Sequence, residues 1–188
     1  MTIDDLLASH PAEPPHGTKV LQTLTALTQS AAVITHGYVS PTHDEVRWVT
    51  RTVLRHDGQQ LDRQEWTGPH LNPADALIAA GPSPAKEDFL AINGGPYVTL
   101  TTMTHILPSG VIFNRRHLRV PRHVEAVQVA GASFPVTAIG HVLLAWEVAA
   151  EAASVPAPLA AVWESGEVES WGTWAQAPRP VLIPGYEP

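Results

Sequence analysis

Alternation of apolar and polar positions dominates the middle of this chain, and apolar positions at helical spacing recur around it. Residues 31–39 form a mostly apolar run closed by Ser40-Pro41, which predicts a buried strand. Residues 45–66 alternate on both sides of Asp57-Gly58, a dipeptide suited to a type I′ hairpin turn because both positions need positive φ. That turn sets Leu54 opposite Leu61, Thr52 opposite Arg63, Thr50 opposite Glu65 and Val49 opposite Trp66. Arg47, Arg51 and Arg55 then share one face, with Val49 and Val53 between them.

A second hairpin is predicted over residues 97–120, turning at Pro108-Ser109-Gly110. A three-residue loop places Leu107 opposite Val111, and the register continues with Ile106 against Ile112, Leu100 against Leu118 and Val98 against Val120. All three later pairs are apolar and lie on one face, which favours this register over a one-residue slip. Residues 124–129 read as a further strand of the same sheet. Residues 159–174 read as a last hairpin, turning at Ser165-Gly166.

Four helices complete the expectation. One runs from Thr18 with Val20, Leu21, Leu24 and Leu27 at helical spacing. Asn72-Pro73 opens a second, which Gly81 ends, and Ser83-Pro84 opens a third, with Glu87 and Asp88 near its start and Gly94-Gly95 after it. The strongest is capped by Thr137 and carries Ile139, Val142, Leu143, Trp146, Ala149 and Ala153 as an apolar stripe. Together these elements predict a single α+β domain over residues 18–176. Its mostly antiparallel sheet of seven or eight strands is built from hairpins, with helices packed on one side. Residues 1–17, with Pro11, Pro14, Pro15 and Gly17, read as a flexible arm, and the proline-rich residues 177–188 as an extended tail.

Composition narrows the chemistry. The 188 residues include no cysteine, which excludes disulfides, thiolate metal sites and cysteine nucleophiles. No basic n-region opens the sequence, and no apolar run is long enough to span a bilayer, so a soluble, cytoplasmic protein without a membrane partner is expected. Ten histidines invite a metal reading, yet there is no His-Glu-x-x-His and no His-x-His. His105 and His117 share a face but stand about 13 Å apart at ~3.3 Å per residue. His36, His43, His56 and His70 could meet Asp44 or Asp57 only through folding. No metal, cofactor or catalytic residue is therefore expected.

The net charge of −7 argues against a nucleic-acid partner, but its distribution is uneven. All basic residues except Arg179 lie before position 123, and residues 123–188 carry seven acids. Residues 111–123 hold four arginines and no acid. In the register above, Phe113, Arg115, His117 and Arg119 share a face with Tyr97, Thr99, Thr101, Met103 and His105, while Arg116 points to the other side and Arg122 and His123 follow Pro121. Guanidiniums beside aromatic rings suit phosphates and stacked bases. The expectation is a nucleic-acid-binding protein that prefers single-stranded DNA or RNA to duplex. Its contacts would be Arg115, Arg116, Arg119 and Arg122, with Phe113, Tyr97 and His117, extended by Arg47, Arg51 and Arg55. The competing expectation neutralises those arginines with the chain's own acids.

The alternative function is a protein-interaction module or homodimer. It would use Trp163, Trp171 and Trp174 beside Glu164, Glu167 and Glu169, since an exposed tryptophan flanked by acids suits an interface. Trp171 and Trp174 have opposite strand parity, which could bury one and expose the other, while the competing and favoured expectation packs both over the sheet. An enzyme without a local motif is the remaining reading.

Overall fold

The computed structural model describes residues 14, 16, 18–39, 46–56, 59–67 and 82–177. Eleven strands and one α-helix make up these residues. Strand accounts for 62% and helix for 8%, so the fold is mainly β and the expected α+β class, with helices packed on one side, is overturned.

Three antiparallel sheets stack into three layers. The first is a meander of β1 (Val20–Leu27), β2 (Ala31–Val39), β3 (Val46–His56) and β4 (Gln59–Thr67). The central sheet has the order β5-β6-β9, from β5 (Val98–Ile106), β6 (Val111–Arg119) and β9 (His141–Ala149). The third has the order β11-β10-β7-β8, from β7 (Val124–Val129), β8 (Ala132–Pro135), β10 (Ala157–Trp163) and β11 (Val168–Trp174). Helix α1 (Lys86–Asn93) buries Phe89, and a 3-10 turn (Ala150–Ala152) follows β9.

Each side of the central sheet has its own core. Leu24, Val33, Trp48 and Leu54 of the first sheet meet Met103, Phe113, Leu143 and Ala145. On the other side Leu118, Val142, Leu144 and Trp146 meet Val127, Leu159, Ala161 and Trp174 of the third sheet. The strand β6 is consequently buried on both faces. The turn between β1 and β2 is tied to β9 by Glu147, whose carboxylate accepts from the Ser30 amide at 2.7 Å and from the Thr28 hydroxyl.

Two predicted helices are strands. Residues 20–27 satisfy helical and alternating spacing alike, and the threonines at 23 and 25 favour the extended form. In β1 only Leu24 and Ala26 are buried, while Val20, Leu21 and Leu27 are exposed. Of the stripe at 139–153, Val142, Leu143, Trp146 and Ala149 belong to β9, whose first six residues are buried, and Ile139 and Ala153 lie in the turns on either side. An almost unbroken apolar run fits any period, and a strand covered on both faces wants such a run. Thr137 does bond where a cap would, accepting from the His141 amide at 3.1 Å, but inside a tight turn through Gly140. Gly140 is obligatory there: φ is +82°, and a Cβ would come within 2.5 Å of Ser83 Cβ.

Other expectations hold or shift by small steps. The pairing of β3 with β4 follows the expected register throughout, Leu54 to Leu61 and Val49 to Trp66 included. The pairing of β5 with β6 follows it from Ile106–Ile112 to Thr101–His117, then slips. Leu100 is an extra residue, so Thr99 meets Leu118 and Val98 meets Arg119, instead of the expected partners Val120 and Leu118 for Val98 and Leu100. The strand at 124–129 belongs to a different sheet from β5 and β6. The helix expected from Ser83-Pro84 begins at Lys86, and the Ser83 hydroxyl donates instead to the Val120 carbonyl. The helix expected at 72–81, the Asp57-Gly58 turn, Ser40-Pro41, most of the arm and the tail beyond 177 lie outside the described residues.

Candidate functional site

The arginine-rich strand is interior. Phe113, Arg115 and His117 are 0% exposed and Arg119 is 2% exposed, because β3 lies across this face of β6. The Arg115 guanidinium donates to Thr52 Oγ1 at 2.8 Å and to the Glu65 carboxylate, which also pairs with Arg63 Nε at 3.0 Å. Burial lowers the Arg115 pKa, and Glu65 opposes that shift. Fully desolvated guanidiniums are tolerated only where hydrogen bonds replace water, which Thr52 and Glu65 supply.

Farther along β6, His117 Nε2 lies 3.1 Å from His141 Nδ1 on β9. The Trp48 ring closes over both imidazoles, at centroid separations of 4.5 and 4.6 Å. Trp48 fits because its cross-strand neighbour is Gly37, where a Cβ would stand 2.7 Å from the indole. Burial, then His117 and Arg119, hold the His141 pKa well below 6.5. Desolvation brings Arg119 down to about 10, with Ser83 Oγ 3.4 Å from its Nε. The sequence did not reveal this histidine pair, since 141 was read as helical. Among the described residues no three potential metal ligands converge.

The remaining predicted residues scatter over different surfaces. The Leu100 bulge turns Tyr97 to the opposite face of the sheet, where its hydroxyl accepts from Trp174 Nε1 at 2.8 Å. Arg116 lies there too, 4.6 Å from the Trp174 ring centroid, with its pKa lowered by burial. Trp171 is the extra residue of a second bulge, so both it and Trp174 reach Tyr97, at 5.7 and 5.4 Å. Both indoles pack against the same core in one aromatic cluster, and not as one buried and one exposed ring. Arg47, Arg51 and Arg55 lie on the outer side of the first sheet, where Arg51 Nε bonds Asp62 at 2.9 Å. Arg122 is exposed, and its amide donates to the Pro84 carbonyl.

An exposed cleft forms where α1 meets the turn between β10 and β11. Lys86, His123, Trp163, Glu164, Ser165 and Glu167 line a volume of about 340 Å³. His123 has φ +72°, a left-handed conformation uncommon for a residue with a Cβ and one that recurs at functional sites. Its backbone carbonyl accepts from the Glu164 amide at 2.9 Å, and its Nδ1 lies 2.9 Å from Glu164 Oε2. A smaller depression of about 180 Å³ adjoins the other side of this pair, lined by Arg122, Glu125 and Thr137 among others. Lys86 Nζ bonds both Glu169 oxygens at 2.8 and 2.9 Å and stands 4.9 Å from the Trp163 centroid. Glu169 raises the Lys86 pKa. Burial pushes Glu169 upward, but the bonds from Lys86 and Trp163 outweigh it and leave its pKa lowered.

The cleft therefore places a half-buried indole, two carboxylates and a histidine within reach of one another. Such a set suits an ammonium or guanidinium, through ion pairing and the ring face together. No helix among the described residues is long and apolar enough to cross a membrane. No protein-family model, no curated protein and no solved structure matches this chain, so its own residues carry the functional reading.

Proposed function

We propose that the protein is an interaction module that holds a basic segment of a protein partner in the cleft between α1 and the β10–β11 turn. The observation that carries this reading is internal. The chain's own ammonium, Lys86, rests against the Trp163 ring while bound by Glu169, and Glu164 and Glu167 remain on the rim beside it. A lysine or arginine from a partner would find the same chemistry one step outward. The acidity of residues 123–188 draws such a segment in, and its effect falls as salt screens it.

The single-strand reading draws less support. Arg115, His117 and Phe113 have no exposed surface to offer a phosphate or a base, and Arg119, at 2%, has almost none. Fluorescence anisotropy with a labelled lysine-rich peptide and, separately, a labelled single-stranded oligonucleotide tests the choice. The peptide is expected to bind with an affinity that falls with salt. Glu164→Gln with Glu167→Gln should weaken it about fivefold, in line with roughly 1 kcal/mol for exposed charge pairs. Binding that ignores the double substitution overturns the proposal. So does binding of the oligonucleotide in preference to the peptide, above all if Arg122→Ala abolishes it.

A further inference from the structure

Sheet edges are usually protected by charge, proline or brevity, because their unpaired backbone groups invite another strand. At the ends of the first and third sheets, β4 carries Asp62, Arg63 and Glu65, β11 carries Glu169, and β8 is four residues long and ends in Pro135. The strand β1, VLQTLTAL, has none of these guards. It exposes Val20 at 43%, Leu21 at 41% and Leu27 at 51%. No strand among the described residues lies beyond it.

Its backbone is set to receive a partner. The amides of Thr28 and Arg55 donate to Ala31 and Ser30, which fixes the alternation of bonded pairs through β1, β2 and β3. Leu24 and Ala26 bond toward β2, so the amides and carbonyls of Thr23, Thr25 and Leu27 point away from the sheet. Alongside runs a groove of about 430 Å³, walled by β1 and by Phe134 to Thr137 and floored by Leu143. None of the ten residues lining it is charged.

We propose that two copies of the chain meet here, β1 pairing antiparallel with β1 of the second copy about a two-fold axis at Thr25. Thr25 then faces the partner's Thr25, Thr23 faces the partner's Leu27, and Leu24 faces the partner's Ala26. The two four-stranded sheets become one continuous sheet. Each copy's Leu24 row extends over the other's groove, so the contact is the same patch on both subunits, as a two-fold interface requires. Charge permits this occupant. Two chains of −7 repel, and the uncharged edge and groove let them meet without setting like charges against each other at the contact. A basic partner, by contrast, gains nothing from a neutral edge.

The absence of cysteine makes the test clean. In a hydrogen-bonded antiparallel pair the Cα atoms stand about 5.5 Å apart, within disulfide reach. Thr25→Cys is expected to give a covalent dimer under mild oxidation, while Thr102→Cys, exposed on the β5 edge, stays monomeric. Light scattering on the unmodified chain should show twice the chain mass. Thr25→Lys, which sets two lysines directly opposite at an exposed position, should return it to a monomer with an unchanged circular dichroism spectrum. A monomeric wild type at millimolar concentration overturns the proposal. A Thr25→Lys protein that keeps the doubled mass, or equal cross-linking of both cysteine variants, does so as well.

Discussion

One strand, β6, faces two different interiors. Toward the first sheet it presents Arg115, His117 and Arg119, met by Thr35, Thr50 and Thr52, all buried. Toward the third sheet it presents Leu118 to a core of aliphatic and indole side chains, in which Trp146 and Trp174 stack at 6.1 Å and Arg116 lies against Trp174 at the margin. The apolar interface supplies driving force with little directional demand. The polar contacts set into the first-sheet core give little net stability of their own but permit one alignment, since Arg115 must reach Thr52 and Glu65 together. A one-residue slip of β3 would turn Thr52 away from β6 and leave a desolvated guanidinium without that bond. An apolar core on each side holds the layers together, and the buried polar contacts on one side fix the register.

Substitutions on the two sides should therefore fail differently. Arg115→Ala is expected to cost the most, about 3–5 kcal/mol by urea denaturation, because it empties the volume of a fully buried side chain and leaves Glu65 with Arg63 as its remaining ion-pair partner. Arg115→Met with Glu65→Gln should recover much of that loss, whereas a double variant as unstable as Arg115→Ala would mean that the polar contacts, and not the filled volume, carry the effect there. Leu144→Ala on the apolar side should cost about 3 kcal/mol from transfer and cavity terms, independent of pH between 5 and 8.

Acidification should discriminate more sharply. His141 takes up its proton near pH 6.5 when unfolded and much lower when folded, so the unfolded state binds more protons. Its contribution is complete above pH 6.5 and is lost as pH falls below it, by about 1.4 kcal/mol per pH unit. His141→Gln should flatten that slope, and an unaltered acid limb would place the sensitivity elsewhere. The smallest effect expected is that of Arg116→Ala, about 1 kcal/mol, from loss of the guanidinium over Trp174. Thermal midpoints at low and high salt check it, since a partly buried ring contact should change little with screening.

The sequence makes some of this legible. The register of β3 with β4 follows from Asp57-Gly58 and from alternation on both arms, which leave no second way to pair. The β10–β11 hairpin is equally local. The Leu100 bulge has no local signal, and it alone decides which face Tyr97 joins. Arginines at alternate positions of a strand read as a solvent face because burying them is costly without partners. Those partners, Thr52 and Glu65, lie in another hairpin some fifty residues earlier, beyond any periodicity argument. The helical reading of 139–153 failed for a related reason, because covering both faces of β9 erased the alternation that marks strands. At the cleft, Trp163, Glu164 and Glu167 stand out as an acidic aromatic group, but Lys86 and His123 join them only through folding.

The order in which the layers appear along the chain has a consequence during synthesis. The first sheet is complete by Thr67, yet the strand that covers Trp48 and Leu54 ends only at Arg119, and β9 follows later still. A nascent chain is therefore expected to expose Trp48 and Leu54 until β6, the described strand that contributes Phe113 to their core, has left the ribosome. Fragments that stop before residue 111 should be the most aggregation-prone products of this sequence, and ribosome pausing ahead of β6 the most hazardous. Chaperone dependence is expected to track the arrival of that one strand.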